Sequence, residues 1–313
     1  MRTRLFPSLA MTTALLTIGL IVFGAVVRVT DSGLGCGNQW PLCNGTIFPP
    51  LDNLTAWIEW LHRLFAALIG VFGLVTLYLA IRAYRKRNRA VLRATVVAAA
   101  LFIIQSALGA IVVIFDLPPT MVTLHLGTAM LLLGALLVAA IGATYTPPKQ
   151  RTGRDRFTAL AYTTTALSFV IILTGALVRG SGATLACVDW PLCNGALLPF
   201  DQGQLATIHM LHRFSVAALG VSLILLVWSA WTSRQDSLSR RLSVFALVMY
   251  LAQAGVGALF VLTSAAPLWG AAHVGFAAAT WALLVALSAV ESLNHQSTEL
   301  LDSEWQQSKP LPN

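Results

Sequence analysis

Eight apolar runs, at roughly 8–29, 56–81, 93–115, 120–144, 157–179, 205–231, 241–262 and 267–290, fill most of this 313-residue chain. Each is long enough to cross a hydrocarbon core of about 30 Å as a helix. A backbone in lipid has to satisfy its own N–H and C=O groups, and runs of this length do so as α-helices. Composition points the same way, because the chain is 57% hydrophobic and only 10% charged, and no connection is long enough for a separate globular domain. The predicted fold class is all-α integral membrane, with eight transmembrane helices. Arg2 and Arg4 ahead of the first run imitate a cleaved signal peptide; the likeness of that run to a later one argues that it is retained.

Basic residues fall on alternate connections. Arg2 and Arg4, then Arg82, Arg85, Lys86, Arg87, Arg89 and Arg93, then Lys149, Arg151, Arg154 and Arg156, then Arg234, Arg240 and Arg241 all lie on one side. Cytoplasmic loops retain Lys and Arg, so both termini are predicted to be cytoplasmic. The opposite loops carry Asp31, Asp52, Asp116, Asp189 and Asp201. The formal net charge of +8 is spread over short cytoplasmic loops, which excludes nucleic acid as a partner class.

Laid on itself at an offset near 150, the chain repeats. "GAVVR" at 24–28 returns as "GALVR" at 175–179, "WPLCNG" at 40–45 as the same six residues at 190–195, and "LHR" at 61–63 again at 211–213. Gln105 with "LGA" at 108–110 answers Gln253 with "VGA" at 256–258, and "HLG" at 125–127 answers "HVG" at 273–275. Four spans per repeat put both halves the same way up, related by an axis along the membrane normal. The expected organisation is two tandem four-helix bundles with parallel pseudo-two-fold symmetry, 1–147 and 148–295, followed by a loose polar cytoplasmic tail, 296–313, with Glu299, Asp302 and Glu304.

The repeat sorts the polar residues. Each half opens its second helix with a histidine, His62 or His212, and its fourth with another, His125 or His273. At 1.5 Å per residue the members of a pair sit at similar depth and can face each other. One intramembrane histidine reads as an interhelical hydrogen-bond donor. Two facing pairs, with no Cys, Asp or Glu cluster of zinc-like spacing beside them, point to bis-imidazole ligation of a planar macrocycle, one haem per half.

Outside the cytoplasmic segments the remaining basic residues are Arg28, Arg63, Arg179 and Arg213. They suit haem propionates; the competing reading is snorkelling to the interface. Gln105 and Gln253 read as interhelical hydrogen-bonding groups or pocket residues. The glycine pairs Gly109/Gly127 and Gly257/Gly275 permit close approach of helices or a flat cofactor.

All cysteines fall in two exterior loops, as Cys36/Cys43 and Cys187/Cys193, where disulfides persist. Each loop is expected to close on itself, Cys36 with Cys43 and Cys187 with Cys193, either as a structural staple or as a redox-active pair above the haem. With two Cys and no His per loop, zinc is disfavoured. The repeat breaks at Glu59, whose counterpart is His209. At spacing i, i+3, Glu59 lies beside His62 and His209 beside His212, so a carboxylate flanks the ligand only in the first half. That half is the choice for the chemistry.

The stretch "GAVVRVTDSGLGCGNQWPLC", the stretch "IEWLHR" and the duplicated four-histidine pattern together resemble the heme A synthase family, specifically the bacterial, cysteine-bearing branch of COX15/CtaA, over all eight spans. The resemblance implies oxidation of the C8 methyl of haem O to a formyl group, by successive hydroxylations and loss of water, to give haem A for cytochrome oxidase assembly. It implies His62 and His125 as axial ligands of the substrate haem and His212 and His273 as ligands of a bound haem b. Glu59 matches the family's critical acid, and Cys36 and Cys43 the loop cysteines that assist reduction; no family role attaches to His209. Expected partners are haem O synthase, a membrane electron donor and the cytochrome oxidase assembly machinery, with self-association a further expectation. The expected location is the bacterial plasma membrane, with the Cys loops outside.

A bis-histidine site leaves no open iron position. Hydroxylation then needs either movement of one axial ligand or oxidation of the porphyrin followed by water attack on a carbocation, and Glu59 suits the second route as a cation stabiliser or proton acceptor. The alternative reading is a diheme b-type electron carrier, which would not need Glu59. A transporter fits less well, because broken midplane helices are not evident.

Overall fold

The computed structural model describes residues 2–147 and 155–307, with side chains over 5–147 and 155–294. Lys149, Arg151 and Arg154, the side chains of Arg2 and Arg4, and those of the acids in the predicted tail lie outside this. Among the described residues, eight helices are long and apolar enough to cross a membrane. They are α1 (Arg2–Val29), α2 (Leu54–Tyr84), α3 (Arg89–Ile114), α4 (Pro119–Thr144), α5 (Arg156–Gly180), α6 (Gln204–Ser233), α7 (Ser237–Leu262) and α8 (Pro267–Gln307).

Several helices begin before the apolar runs do, because polar caps rather than hydropathy set their ends. Asn53 accepts from the N–H of Ala56, Asn88 from Ala90 and Val91, Asp155 from Thr158 and Asp236 from Ser239. Such a side chain satisfies one or two of the N–H groups left open in the first turn. The α3–α4 connection turns in four residues with Asp116 and Leu117 at φ 57° and 61°, and the α7–α8 connection does the same with Ser264 and Ala265 at φ 54° and 65°. Turns this short make their helices antiparallel neighbours.

In the first half α1 packs on α2 and α4, and α3 on α2 and α4; in the second half α5 packs on α6 and α8, and α7 on α6 and α8. The halves meet where α1 touches α8, α4 touches α5, and α4 touches α8. Accordingly α4 and α8 are the most buried spans and α3 and α7 among the least. Met130 and Leu133 of α4 pack with Ile21 of α1, Ile172 of α5 and Trp281 of α8 in the main apolar core. The indole N–H of Trp281 donates to the carbonyl of Met130 at 2.8 Å, a buried bond between the halves. Gly127 of α4 faces Leu173 of α5, and Gly275 of α8 faces Val22 of α1, so these two glycines admit the other half of the chain rather than a ligand.

At the end opposite the Cys loops, α8 continues beyond residue 290, where its apolar run stops. Glu291 and Asn294, polar residues past the last apolar run, are buried, 2% and 1% exposed. Arg234, counted above as a topology charge, is itself only 7% exposed. It donates to both oxygens of Asp155 at 2.6 and 2.8 Å and to Glu291 at 2.7 Å, and stacks over Phe157 at 4.3 Å. Ser239 donates to Glu291 at 3.0 Å, and Tyr145 of α4 donates to Asn294 at 2.9 Å. This ion network ties the start of α5 and the α6–α7 turn to α8. The bonds from Arg234 hold the Asp155 carboxyl well below the usual carboxylate range, and against burial its acids keep the guanidinium protonated beyond its ordinary value.

Candidate functional site

The polar residues collect at the Cys-loop end. His62 and His212 are each nine residues into α2 and α6, and His125 and His273 seven residues into α4 and α8, which places all four roughly 9–12 Å along their helices. His62 lies within electrostatic range of His125, and His212 of His273. The pairs expected from spacing are therefore brought together.

Each histidine ring rests on a glycine of the preceding helix. A Cβ on Gly24 would come 3.2 Å from Cε1 of His62, on Gly109 3.2 Å from Cε1 of His125, on Gly175 3.1 Å from Cε1 of His212 and on Gly257 2.9 Å from Cε1 of His273. Gly109 and Gly257 were singled out by sequence as sites of close approach. Gly24 and Gly175 were missed, although both begin the repeated motif that ends in Arg28 and Arg179; their spacing from the histidines, on another helix, carries no periodic signal.

The rings are held differently in the two halves. Thr174 donates its hydroxyl hydrogen to the carbonyl of Ile171 at 2.9 Å, so its oxygen accepts from Nδ1–H of His212 at 2.9 Å. Nδ1 of His273 faces the backbone carbonyl of Gln253 at 3.0 Å, which can only accept. Both contacts assign the proton to Nδ1 and leave the Nε2 lone pair available to a metal. In the first half, the side-chain amide of Gln105 lies 3.1 Å from Nε2 of His125, and Nδ1 of His62 is buried without a hydrogen-bond partner. His209 does not join a ligand set; its Nδ1–H donates to the carbonyl of Ala183 at 2.9 Å.

Two small hairpins cover this end. Cys43 and Thr46 exchange backbone hydrogen bonds at 2.8 and 3.0 Å, and Cys193 and Ala196 at 2.8 and 2.9 Å. The intervening Asn44–Gly45 and Asn194–Gly195 have positive φ throughout, 49° and 80°, 51° and 82°, the backbone that Asn-Gly adopts in two-residue hairpins. Disulfides join Cys36 to Cys43 and Cys187 to Cys193. The loops are exposed, but all four cysteines are 0% exposed, packed on Ala56 and Trp60 in one loop and on Ala206, Met210 and Phe214 in the other. Thiol exchange at either pair, which the redox-active reading needs, therefore requires the loop to open.

Glu59 is 3% exposed. Its carboxylate accepts from the backbone N–H of Cys36 at 2.9 Å and pairs with Arg63. Arg63 also donates to the carbonyls of Gln39 at 3.2 Å and Leu42 at 3.1 Å; Arg213 holds the second loop through the carbonyls of Pro191 and Leu192. Arg179 reaches Asp31 at 3.8 Å. Each outer arginine nevertheless keeps one buried nitrogen without a partner: Nε of Arg28, Arg63 and Arg179, and Nη2 of Arg213. On the second loop Asp189 accepts from Asn194 at 2.6 Å and Gly195 at 2.8 Å, and these bonds, the Gly195 one foremost, lower its carboxyl from the ordinary value. Among the described residues no group of three or more His, Cys, Asp or Glu could hold a metal ion.

Residues 8–285 match the profile of a family described as cytochrome oxidase assembly protein, COX15-CtaA. The chain belongs to that family. The matched segment takes in all four paired histidines, both hairpins and Glu59. Relatives called heme A synthase come from Symbiobacterium thermophilum (34% identical, covering 84% of this chain and 88% of the relative), Halalkalibacterium halodurans (33%, 80% and 85%) and Geobacillus thermodenitrificans (31%, 88% and 88%). Of the buried ion network in this COX15-CtaA member, Glu291 and Asn294 fall beyond the matched segment.

Proposed function

We propose that this protein is a heme A synthase of the bacterial plasma membrane, oxidising the C8 methyl of haem O to a formyl group for cytochrome oxidase assembly. In this reading the chain is two tandem four-helix bundles, 1–147 and 148–295, with parallel pseudo-two-fold symmetry, both termini cytoplasmic and the Cys loops outside. Supporting the symmetry are the matched helix contacts, turns and Gly–His pairs of the two halves.

The observation that carries the reading is the buried nitrogen without a hydrogen-bond partner on each of Arg28, Arg63, Arg179 and Arg213, on the helices that carry His62 and His212 or the glycines beneath them. A buried unpaired guanidinium N–H is costly, and a haem brings two carboxylates to this depth. The residues thus fit the group. His62 and His125 hold the substrate haem O through its iron; His212 and His273 hold a resident haem b, which supplies one-electron transfer when bound. Haem O synthase as donor of substrate and a membrane electron carrier are the partners this chemistry requires.

The assignment of halves follows from Glu59. Among the described residues it is the buried acid at the Cys-loop end, three residues from His62. On the route in which water supplies the oxygen, turning a methyl into a formyl group gives up four electrons, taken by the membrane electron carrier, and four protons, and a carboxylate with lone pairs beyond those used by Cys36 and Arg63 can accept such a proton. Its counterpart His209 spends Nδ1–H on a carbonyl. In this reading the Cys36–Cys43 pair acts on that acid when reduced, a role supported by the hydrogen bond from the Cys36 backbone N–H to Glu59.

The test is chromatography of haems from cells that make haem O but no haem A, with and without this gene, and with Glu59→Ala. Haem A formed with the gene and lost with the substitution supports the reading. Recovery of only haem O and haem b from a well-expressed, haem-loaded protein overturns it in favour of a diheme electron carrier.

A further inference from the structure

The two copies of the motif ahead of the first ligand differ at one position that touches the ligand. The first reads Phe23-Gly24-Ala25-Val26-Val27-Arg28 and the second Thr174-Gly175-Ala176-Leu177-Val178-Arg179. Gly24 and Gly175 meet their rings alike, at 3.2 and 3.1 Å. The residue before each glycine does not. Thr174 accepts Nδ1–H of His212 at 2.9 Å, its own proton being committed to Ile171. Phe23 has no hydrogen-bonding atom; its ring lies 5.9 Å from that of His62, tilted by 55°, and Nδ1 of His62 is buried with no partner.

An imidazole whose Nδ1–H is held by an acceptor is fixed in tautomer and rotation, and is a more basic ligand at Nε2. One with a bare, buried Nδ1 is fixed only by packing. On the repeat's common plan, a single Phe/Thr exchange therefore changes the grip on the ligand.

We propose that this position sets how long each site keeps its haem: Thr174 is a positioning residue that makes the His212/His273 site retentive, and Phe23 leaves His62 a displaceable ligand, so that the His62/His125 site accepts and releases. The inference rests on the haem sites of the proposed function and adds the residue that divides their tasks.

The test times transfer of haem b from purified full-length protein to apomyoglobin. One background carries His62→Ala with His125→Ala, the other His212→Ala with His273→Ala, so that one pair binds in each. The first-half pair is expected to release haem about 10-fold faster or more, the range over which outer-shell partners change metal-site affinity. Thr174→Val should speed release from the second pair by a similar factor, Thr174→Ser should restore retention, and Phe23→Thr should slow release from the first pair. Carbon monoxide added to the reduced protein should give an adduct at the first pair that Phe23→Thr suppresses. Release rates and adducts unmoved by both Thr174→Val and Phe23→Thr, in proteins that hold haem, overturn this inference alone. If Thr174→Val does not fold, the Phe23→Thr arm decides. Failure of both wild-type pairs to bind haem b overturns the proposed sites and this inference with them, whereas shifted release rates with no haem A made in cells leave it standing and overturn the proposed reaction.

Discussion

The backbone N–H of Cys36 donates to the carboxylate of Glu59 at 2.9 Å, so the disulfide-closed loop after α1 is fastened to the second turn of α2 by a buried acid. A hydrogen bond to a charged group contributes about 1.5–3 kcal/mol. Removing it should raise the fraction of open loop about 10-fold or more. Glu59→Ala is therefore expected to speed reduction and alkylation of Cys36 and Cys43 by that factor. Cys187 and Cys193, whose loop has His209 at the Glu59 position, serve as the internal control. A rate for Cys36 and Cys43, relative to that for Cys187 and Cys193, that is the same in the variant as in the wild type would show that Glu59 does not hold the loop shut.

The glycines under the histidines should be intolerant of a methyl group in proportion to the space they lack. Gly257, 2.9 Å from the His273 ring, leaves less room than Gly24 or Gly109 at 3.2 Å. Overpacking of this kind costs about 1–3 kcal/mol, here by displacing the ring. Gly257→Ala should lower the haem absorbance per protein more than Gly24→Ala. Gly19→Ala, with nothing within 4 Å, should leave it unchanged and raise helix stability by up to about 1 kcal/mol. Absorbance spectra and thermal unfolding in detergent check both signs.

The Arg234 network makes a pH prediction. The Asp155 carboxyl is depressed, chiefly by hydrogen bonds from Arg234, so the unfolded chain takes up its proton at a higher pH than the folded protein does. Its contribution is whole above about pH 4, the ordinary carboxylate value, and drains away as pH falls through the folded-state value. Asp155→Asn should be less stable at pH 7 by about 1–3 kcal/mol, a buried-pair cost discounted because Asp155 is 32% exposed. Between about pH 4 and pH 2 the wild type should lose more stability than the variant. Parallel melting curves across that range would remove Asp155 from the account.

Much of this arrangement was legible in the chain because it is written in signals that are local or repeated. The apolar runs mark α2 to α7 to within about four residues at each end, while α1 begins six residues earlier than its run and α8 continues to Gln307; the recurring motifs pick out His62, His125, His212 and His273 and both cysteine pairs. The sequence carries less about how one helix is rotated against the next. That Thr174 meets His212 while Phe23 meets His62, or that Gly24 lies under a ring two turns into another helix, depends on interhelical packing that spacing within one helix does not encode. Arg234 was read only as a topology charge because it is basic beside a helix end expected to be cytoplasmic, and nothing in the sequence singled out Asp155 or Glu291; only the convergence of three helix ends buries them together.

Trp281 offers a test of how the halves adhere. Its indole N–H donates to the carbonyl of Met130 at 2.8 Å, its ring packs on Phe169 at 5.3 Å, and a Cβ on Gly134 would meet it at 3.6 Å. With apolar lipid on all sides, helix association in the membrane draws on packing and interhelical hydrogen bonds rather than on hydrophobic burial. Trp281→Phe keeps an aromatic ring and removes the donor, at a cost of about 1 kcal/mol, or roughly a fivefold shift in association. The effect becomes measurable when the chain is divided between α4 and α5 and the halves are co-expressed with a tag on one. Co-purification should fall several-fold in Trp281→Phe and further in Trp281→Ala, which also empties the space against Gly134 and Phe169. Undiminished recovery of the untagged half in both variants would mean that the α1–α8 and α4–α5 contacts hold the halves together without this bond.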